Sequence, residues 1–93
     1  MLEKTIGSAK RLMILRELTR GERCVSELME LLKMDGKTAK HHLETLERAG
    51  IVESRIEGRR KYYRLVAEIR LEISPPPERR YILTACRPEK LKR

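Results

Sequence analysis

The stretch "SELMELLKMDGKTAKHHLETLERAG", Ser26 to Gly50, constrains the fold more than any other part of the chain. Two helical patterns lie within it, with only "KMD" between them. In the first, Ser26 is placed as the N-cap, Glu27 suits the positive end of the first turn, and Leu28, Leu31 and Leu32 share one side. In the second, Asp35 caps a helix that runs from Gly36 to Ala49, and Gly50 closes it. Two short helices joined by so few residues have no room to separate and must pack on each other. That spacing is the helix-turn-helix signature.

The second of these helices has two distinct faces. Residues three or four apart share a face, so Ala39, Leu43 and Leu46 form an inward stripe, with His42 beside it. Lys37, Thr38, His41 and Thr45 form the outward stripe. The two histidines of the chain therefore have different expected jobs. His42 reads as a partly buried structural residue with a local hydrogen bond, and His41 as an exposed donor to a phosphate or a base edge. Adjacent histidines point about 100° apart on a helix, so one metal ion cannot easily take both. No nucleophile spacing and no phosphate-cradling glycine loop accompany them, so no catalytic residue is assigned.

Upstream, "SAKRLMILRELTRGE" reads as a first helix, with Ser8 as N-cap, an apolar face of Leu12, Ile14, Leu15 and Leu18, and a stop at Gly21. Cys24 and Val25 form a short extended stretch. Downstream the period changes to two. In "IVESRIEGRRKYYRL", Val52 and Ile56 alternate with charged residues, and Tyr63 and Leu65 resume after Gly58, which predicts a β-hairpin turning near Glu57 to Arg60. From Ser54 to Arg64 this hairpin carries five basic residues and one acid, among them Arg55, Arg59, Arg60 and Lys61. "VAEIRLEIS" places Ala67, Ile69, Leu71 and Ile73 on one face, although Leu65, Ile69 and Ile73 would also align on a helix. Pro75 to Pro77 ends that element, and Tyr81 to Ala85 supplies a second β-rich run. Residues 66–86 are thus expected to form a second hairpin, and "RPEKLKR" a basic tail.

A helix entering the major groove leads with short polar and basic side chains near its N-terminus, and a basic hairpin tip can follow the backbone or a narrow minor groove. The charge balance agrees. The chain has 22 Lys+Arg against 14 Asp+Glu, a formal +8, which favours a polyanionic partner. Its 93 residues make one small domain, a size that often gains stability by oligomerising. No apolar run approaches the ~20 residues that span a bilayer. The opening "MLEKTIGSAKR" lacks the apolar core of a secretion signal, and two cysteines, Cys24 and Cys86, are too few for a disulfide framework; both point to the cytoplasm. Asn and Gln are absent while 39% of residues are charged, a balance that points to a thermophilic source.

From Leu12 to Leu65 the pattern resembles the ArsR-type winged helix-turn-helix repressors. The matching segments are "RLMILREL", "CVSELMELL", "KTAKHHLETLERAGIV" and "EGRRKYYRL". The resemblance implies an α+β fold of three helices plus a β-hairpin wing. It also implies a homodimeric transcriptional regulator that binds double-stranded DNA, with Lys37, Thr38, Lys40 and His41 on the recognition helix and Arg59 and Arg60 in the wing. The expected organisation is a DNA-binding domain over residues 1–66, a β-rich dimerisation extension over 67–86 and the tail over 87–93. The full set of expected DNA-binding residues is Lys37, Thr38, Lys40, His41, Thr45, Arg55, Arg59, Arg60 and Lys61, with no metal site and no cofactor.

The chain departs from that family twice. Metal-sensing members carry Cys-Val-Cys-Asp where this chain reads Cys24-Val25-Ser26-Glu27, which leaves one soft ligand and no closed site. They also follow the wing with a helix that pairs in the dimer, whereas here a β-patterned segment and a triple proline follow, as in β-ended archaeal relatives. Two other functions fit the same residues. One is a winged-helix protein-interaction module in a transcription or RNA-handling assembly. The other is a thiol- or metal-responsive sensor using Cys24.

Overall fold

The computed structural model describes residues 8–86. The basic tail over 87–93 lies outside them. Helix α1 spans Ala9–Leu18 and starts where the Ser8 hydroxyl accepts the Arg11 N–H at 3.4 Å. Ile14, Leu15 and Leu18 are buried, but Leu12 is about half exposed, at 49%. The stripe is therefore narrower than expected, because Leu12 belongs to the flank that faces a surface groove instead of the core.

Strand β1 is two residues, Arg23–Cys24, and leads directly into α2, Val25–Leu32. The cap of α2 is Cys24, not Ser26. Glu27 decides this, because its carboxylate reaches back to accept the Cys24 N–H at 2.9 Å and so fixes the helix start two residues earlier. Leu28 is fully buried while Leu31 lies in solvent, so the inward side of this short helix runs through Val25, Leu28 and Leu32. Lys33 then takes the left-handed conformation at φ 56°, and its N–H and that of Met34 both donate to the Met29 carbonyl. Asp35 caps α3, Gly36–Arg48, by accepting the Thr38 N–H at 2.7 Å. A Cβ on Gly36 would lie 3.2 Å from Met29 Sδ, so the two helices meet closely at this turn.

The predicted inward stripe of α3 holds, since Ala39, Leu43 and Leu46 have no exposed surface. Together with Ile14, Leu15, Leu18 and Leu28 they form the centre of the core, closed on the sheet side by Ile51, Val52 and Tyr63. Strands β2, Val52–Glu57, and β3, Arg60–Leu65, make the expected antiparallel hairpin, with Glu57 opposite Arg60. The two-residue loop is Gly58-Arg59. Gly58 alone of the pair has positive φ, 65°, the sign pattern of a type II′ turn that matches strand twist. Strand β1 adds to the other edge of β3, giving the order β1-β3-β2. Alternation directs Ile56 inward with Val52, yet Ile56 is 73% exposed. The hairpin outruns the core, so beyond Ser54 the face that carries Ile56 has no apolar layer to pack against.

Strands β4, Glu68–Ile73, and β5, Tyr81–Cys86, pair as a separate two-stranded sheet, which settles the strand-or-helix ambiguity in favour of the strand. Ile69 faces Ala85, Leu71 faces Leu83 and Ile73 faces Tyr81. Only the base of this apolar face is covered: Ile69 and Leu83 pack against the core, while Leu71, Ile73 and Tyr81 lie open. Among the described residues no helix is long and apolar enough to cross a membrane.

Candidate nucleic-acid interface

The outward face of α3 begins at a well-made helix start. The Asp35 carboxylate accepts from the Thr38 backbone, with further bonds from the Thr38 hydroxyl and the Lys37 N–H, and these hold its pKa below the usual carboxylate range. Thr38 is therefore half committed to the cap, a role that its place in the sequence did not reveal. Lys37, Lys40 and His41 are exposed and make no ion pair with any described residue. Thr45 is partly covered, and its hydroxyl donates to the His41 carbonyl at 3.0 Å, a bond back to the preceding turn that turns the group along the helix. The leading end of the helix thus offers two lysines, an imidazole and one hydroxyl to an outside partner, and Thr45 extends that stripe toward the middle.

His42 is partly buried, as expected, but its partner is not local. Its Nδ1 accepts a 2.9 Å hydrogen bond from Arg11 Nε on α1. Burial lowers its pKa, and the nearby charges of Arg11, His41 and Lys10 lower it further, so the ring is held neutral as an acceptor. This bond ties the first helix to the third across the core edge. It also brings Lys10 near the start of α3, where its charge reaches Asp35 as well. Sequence reasoning missed Lys10 because α1 shows no sign there of facing α3.

The wing residues divide into two groups. Arg59, at the turn, and Lys61 are exposed, Lys61 with its ammonium 5.6 Å from the Tyr63 ring centroid. Arg60 is exposed too but leans inward, with its guanidinium 3.8 Å from Cys24 Sγ, and interaction with Cys24 pushes its pKa up. Arg55 is the exception to a free basic tip. Glu22 accepts from its Nη2 at 2.7 Å and from its Nε at 3.1 Å, Glu57 accepts from Nη1 at 2.6 Å, and the guanidinium sits 5.1 Å from the Tyr62 ring centroid. Its pKa is raised and that of Glu22 is lowered by this pairing. The Glu22 partner lies 33 residues away, beyond the reach of any local pattern.

The angle between helix and wing is set by side chains as well as by the core. Ser54 on β2 donates to the Glu47 carboxylate near the end of α3 at 2.7 Å. Cys24 is buried and has Ser26 Oγ at 3.2 Å and the Arg60 cation on its other side, surroundings that repel a second positive charge. Among the described residues no group of three or more metal-binding side chains converges.

This arrangement has close counterparts. Residues 8–54 match the family described as bacterial regulatory protein, arsR family. An HTH-type transcriptional regulator of Mycobacterium tuberculosis is 40% identical over 65 residues, covering 70% of this chain and 29% of that relative. An uncharacterized HTH-type transcriptional regulator of Methanocaldococcus jannaschii is 42% identical over 64 residues, 68% of this chain and 72% of its own length. The chain thus spans less than a third of the mycobacterial relative but most of the archaeal one. Among solved structures, a domain from Mycobacterium bovis superimposes with a TM-score of 0.64 at 40% identity, over 67% of this chain and 57% of that one. It is described as a homodimeric winged helix-turn-helix DNA-binding domain of a possible ArsR-family transcriptional regulator. The fold, the exposed head of α3 and these matches lead to one conclusion: the chain is a winged helix-turn-helix protein that belongs to the arsR family of transcriptional regulators.

Proposed function

We propose that this protein is a homodimeric, sequence-specific DNA-binding repressor that works by occupancy, without catalysis, cofactor or metal, in the cytoplasm of a thermophilic organism. The observation that carries the reading is the exposed head of α3, where Lys37, Lys40 and His41 stand clear of ion pairs on a helix whose opposite side is locked in the core. In this reading Lys37, Thr38 and His41 meet base edges in the major groove, and Lys40 and Thr45 flank them. Arg59, Arg60 and Lys61 meet the backbone or a narrow minor groove, with Arg55 joining them if Glu22 releases it. The homodimeric state of the Mycobacterium bovis domain supports two such heads acting together.

The test is a footprint on DNA flanking the protein's own gene, at a stated salt concentration, with a scrambled duplex as control. Protection of two half-sites centred about 34–36 Å apart is the expected result. Equal affinity for the gene-flanking and scrambled duplexes at every salt concentration would sink sequence-specific regulation and favour an interaction module. DNA release by zinc, cadmium or arsenite that disappears in Cys24→Ser would instead favour the sensor.

A further inference from the structure

We propose that the second hairpin is the dimer contact, with the exposed tip of one copy seated in the groove at the base of the other. This rests on the homodimer of the preceding reading and names the surface that makes it.

The molecule carries both halves of such a contact. One half is a groove of about 630 Å³ between α1 and the β3–β4 link, lined by Leu12, Leu15, Arg16, Leu65, Val66 and Ile69. The other half is the open end of the β4–β5 face, where Leu71 is 52%, Ile73 67% and Tyr81 63% exposed. Cross-strand pairing puts these three side chains on the same face as Ile69 and Leu83, which are already packed on the core. The apolar surface therefore runs without a break from groove to tip. A two-stranded hairpin is marginal in water by itself, so one whose apolar face is open beyond its base calls for a partner over that open end.

A second copy is the occupant that the surface fits. In a two-fold contact the same patch meets itself reversed, so the tip of each copy falls on the base of the other and groove and ridge are used twice. Tyrosine can bury about 150–250 Å², so Tyr81 alone leaves on the order of 100 Å² for a partner. Leu71, Ile73 and the half-exposed Leu12 extend this toward the roughly 800 Å² per partner of a standard interface. Charge does not oppose the contact. On the reverse face Glu68 pairs with Arg70 at 2.8 Å, and near the tip Glu72 pairs with Arg80 at 3.7 Å, so the hairpin neutralises itself despite the basic character of the chain. The flank of α1 that lines the groove, Leu12, Arg16 and Thr19, is separate from Arg11, which is engaged with α3, so docking there leaves the DNA-facing helix in place.

The experiment uses the full chain and reads association directly. In sedimentation equilibrium, Ile73→Glu and, separately, Leu12→Glu should each raise the dimer dissociation constant roughly 30-fold or more, as expected for a buried anchor. Because a charge could also unfold the hairpin, a second measurement keeps native side chains at the rest of the tip. In a Cys86→Ser background, Leu12→Cys and Ile73→Cys chains are mixed and oxidised. The mixed pair should form the dominant cross-linked dimer, since only tip-to-base docking brings these positions together across copies. A wild-type monomer at micromolar concentration overturns the proposal, as does a dimer indifferent to both substitutions or a failure of the mixed pair to cross-link. A wild-type monomer would also remove the homodimer from the proposed function, whereas the other two results leave the homodimer and its DNA reading standing. Conversely, a dimer that dissociates and cross-links as stated, yet protects no DNA, overturns the proposed function and leaves this interface standing.

Discussion

At the scale of single residues, the pair Arg11–His42 carries the clearest consequence. The imidazole accepts from a guanidinium, a bond available only to the neutral ring, and its folded pKa lies below the ordinary histidine value of about 6.5. Above pH 6.5 both folded and unfolded chains hold the ring neutral and the full stability is present. As pH falls from 6.5 toward the depressed folded value, the unfolded chain takes up a proton that the folded chain refuses, so stability is lost across that window. Thermal melts from pH 8 to pH 5 should show the wild-type Tm falling below pH 6.5. His42→Asn keeps an acceptor without a titrating group and should flatten that fall. Equal pH dependence in the two proteins would mean that His42 does not set it. Sequence showed that His42 is covered and His41 is not, because helical spacing alone decides that. It could not show the partner, since a bond between residues 31 apart is a property of packing.

At the scale of elements, helix and wing should fail in different ways when altered. Thr38→Ala or His41→Ala should cost specific binding about 1–3 kcal/mol for each base edge no longer read, while leaving random DNA nearly untouched. Arg59→Ala with Lys61→Ala should weaken both duplexes and lower the salt slope by roughly 0.9 for each phosphate no longer neutralised. Titrations of cognate and scrambled duplexes at several salt concentrations separate the two patterns, and identical effects from both sets would show that α3 does not read sequence. The Glu22–Arg55 pair yields a second expectation with the opposite sign. Glu22→Gln removes one of the two carboxylates that hold Arg55, the other being Glu57, so affinity for random DNA should rise and the salt slope should steepen. An unchanged slope would mean that Arg55 stays out of reach of the duplex. The place of Arg55 in a basic run makes it an expected DNA-binding residue, yet its guanidinium is engaged by Glu22 and Glu57. A run of like charges in a sequence does not show which of them a distant carboxylate has already taken.

At the scale of the whole molecule, stability and association should be linked. A two-stranded hairpin that keeps its tip in water gains from a second copy, so Tm should rise with protein concentration, as mass action requires when only the folded chain dimerises. A Tm that is constant over two decades of concentration would separate the fold from the dimer. The order of elements was legible from end to end, because α1 and α3 start at the polar caps Ser8 and Asp35 and the four longer strands alternate with period two. What escaped was where the core stops. Leu12, Leu31 and Ile56 sit in apolar patterns yet face water, since pattern gives direction but not how far the next layer extends. The bond from Ser54 to Glu47 has a consequence for how such a protein responds to signals. With the wing fastened to α3 there, and to Glu22 through Arg55, one copy has little freedom to reshape its own reading head. In the proposed dimer, what remains adjustable is the span between two heads. Span is measured against the pitch of the duplex, about 10–10.5 base pairs per turn. A signal that moves the copies apart by about 3.4 Å, one base pair, would leave every side chain of the α3 head intact and still turn the second head about 35° out of register with its half-site.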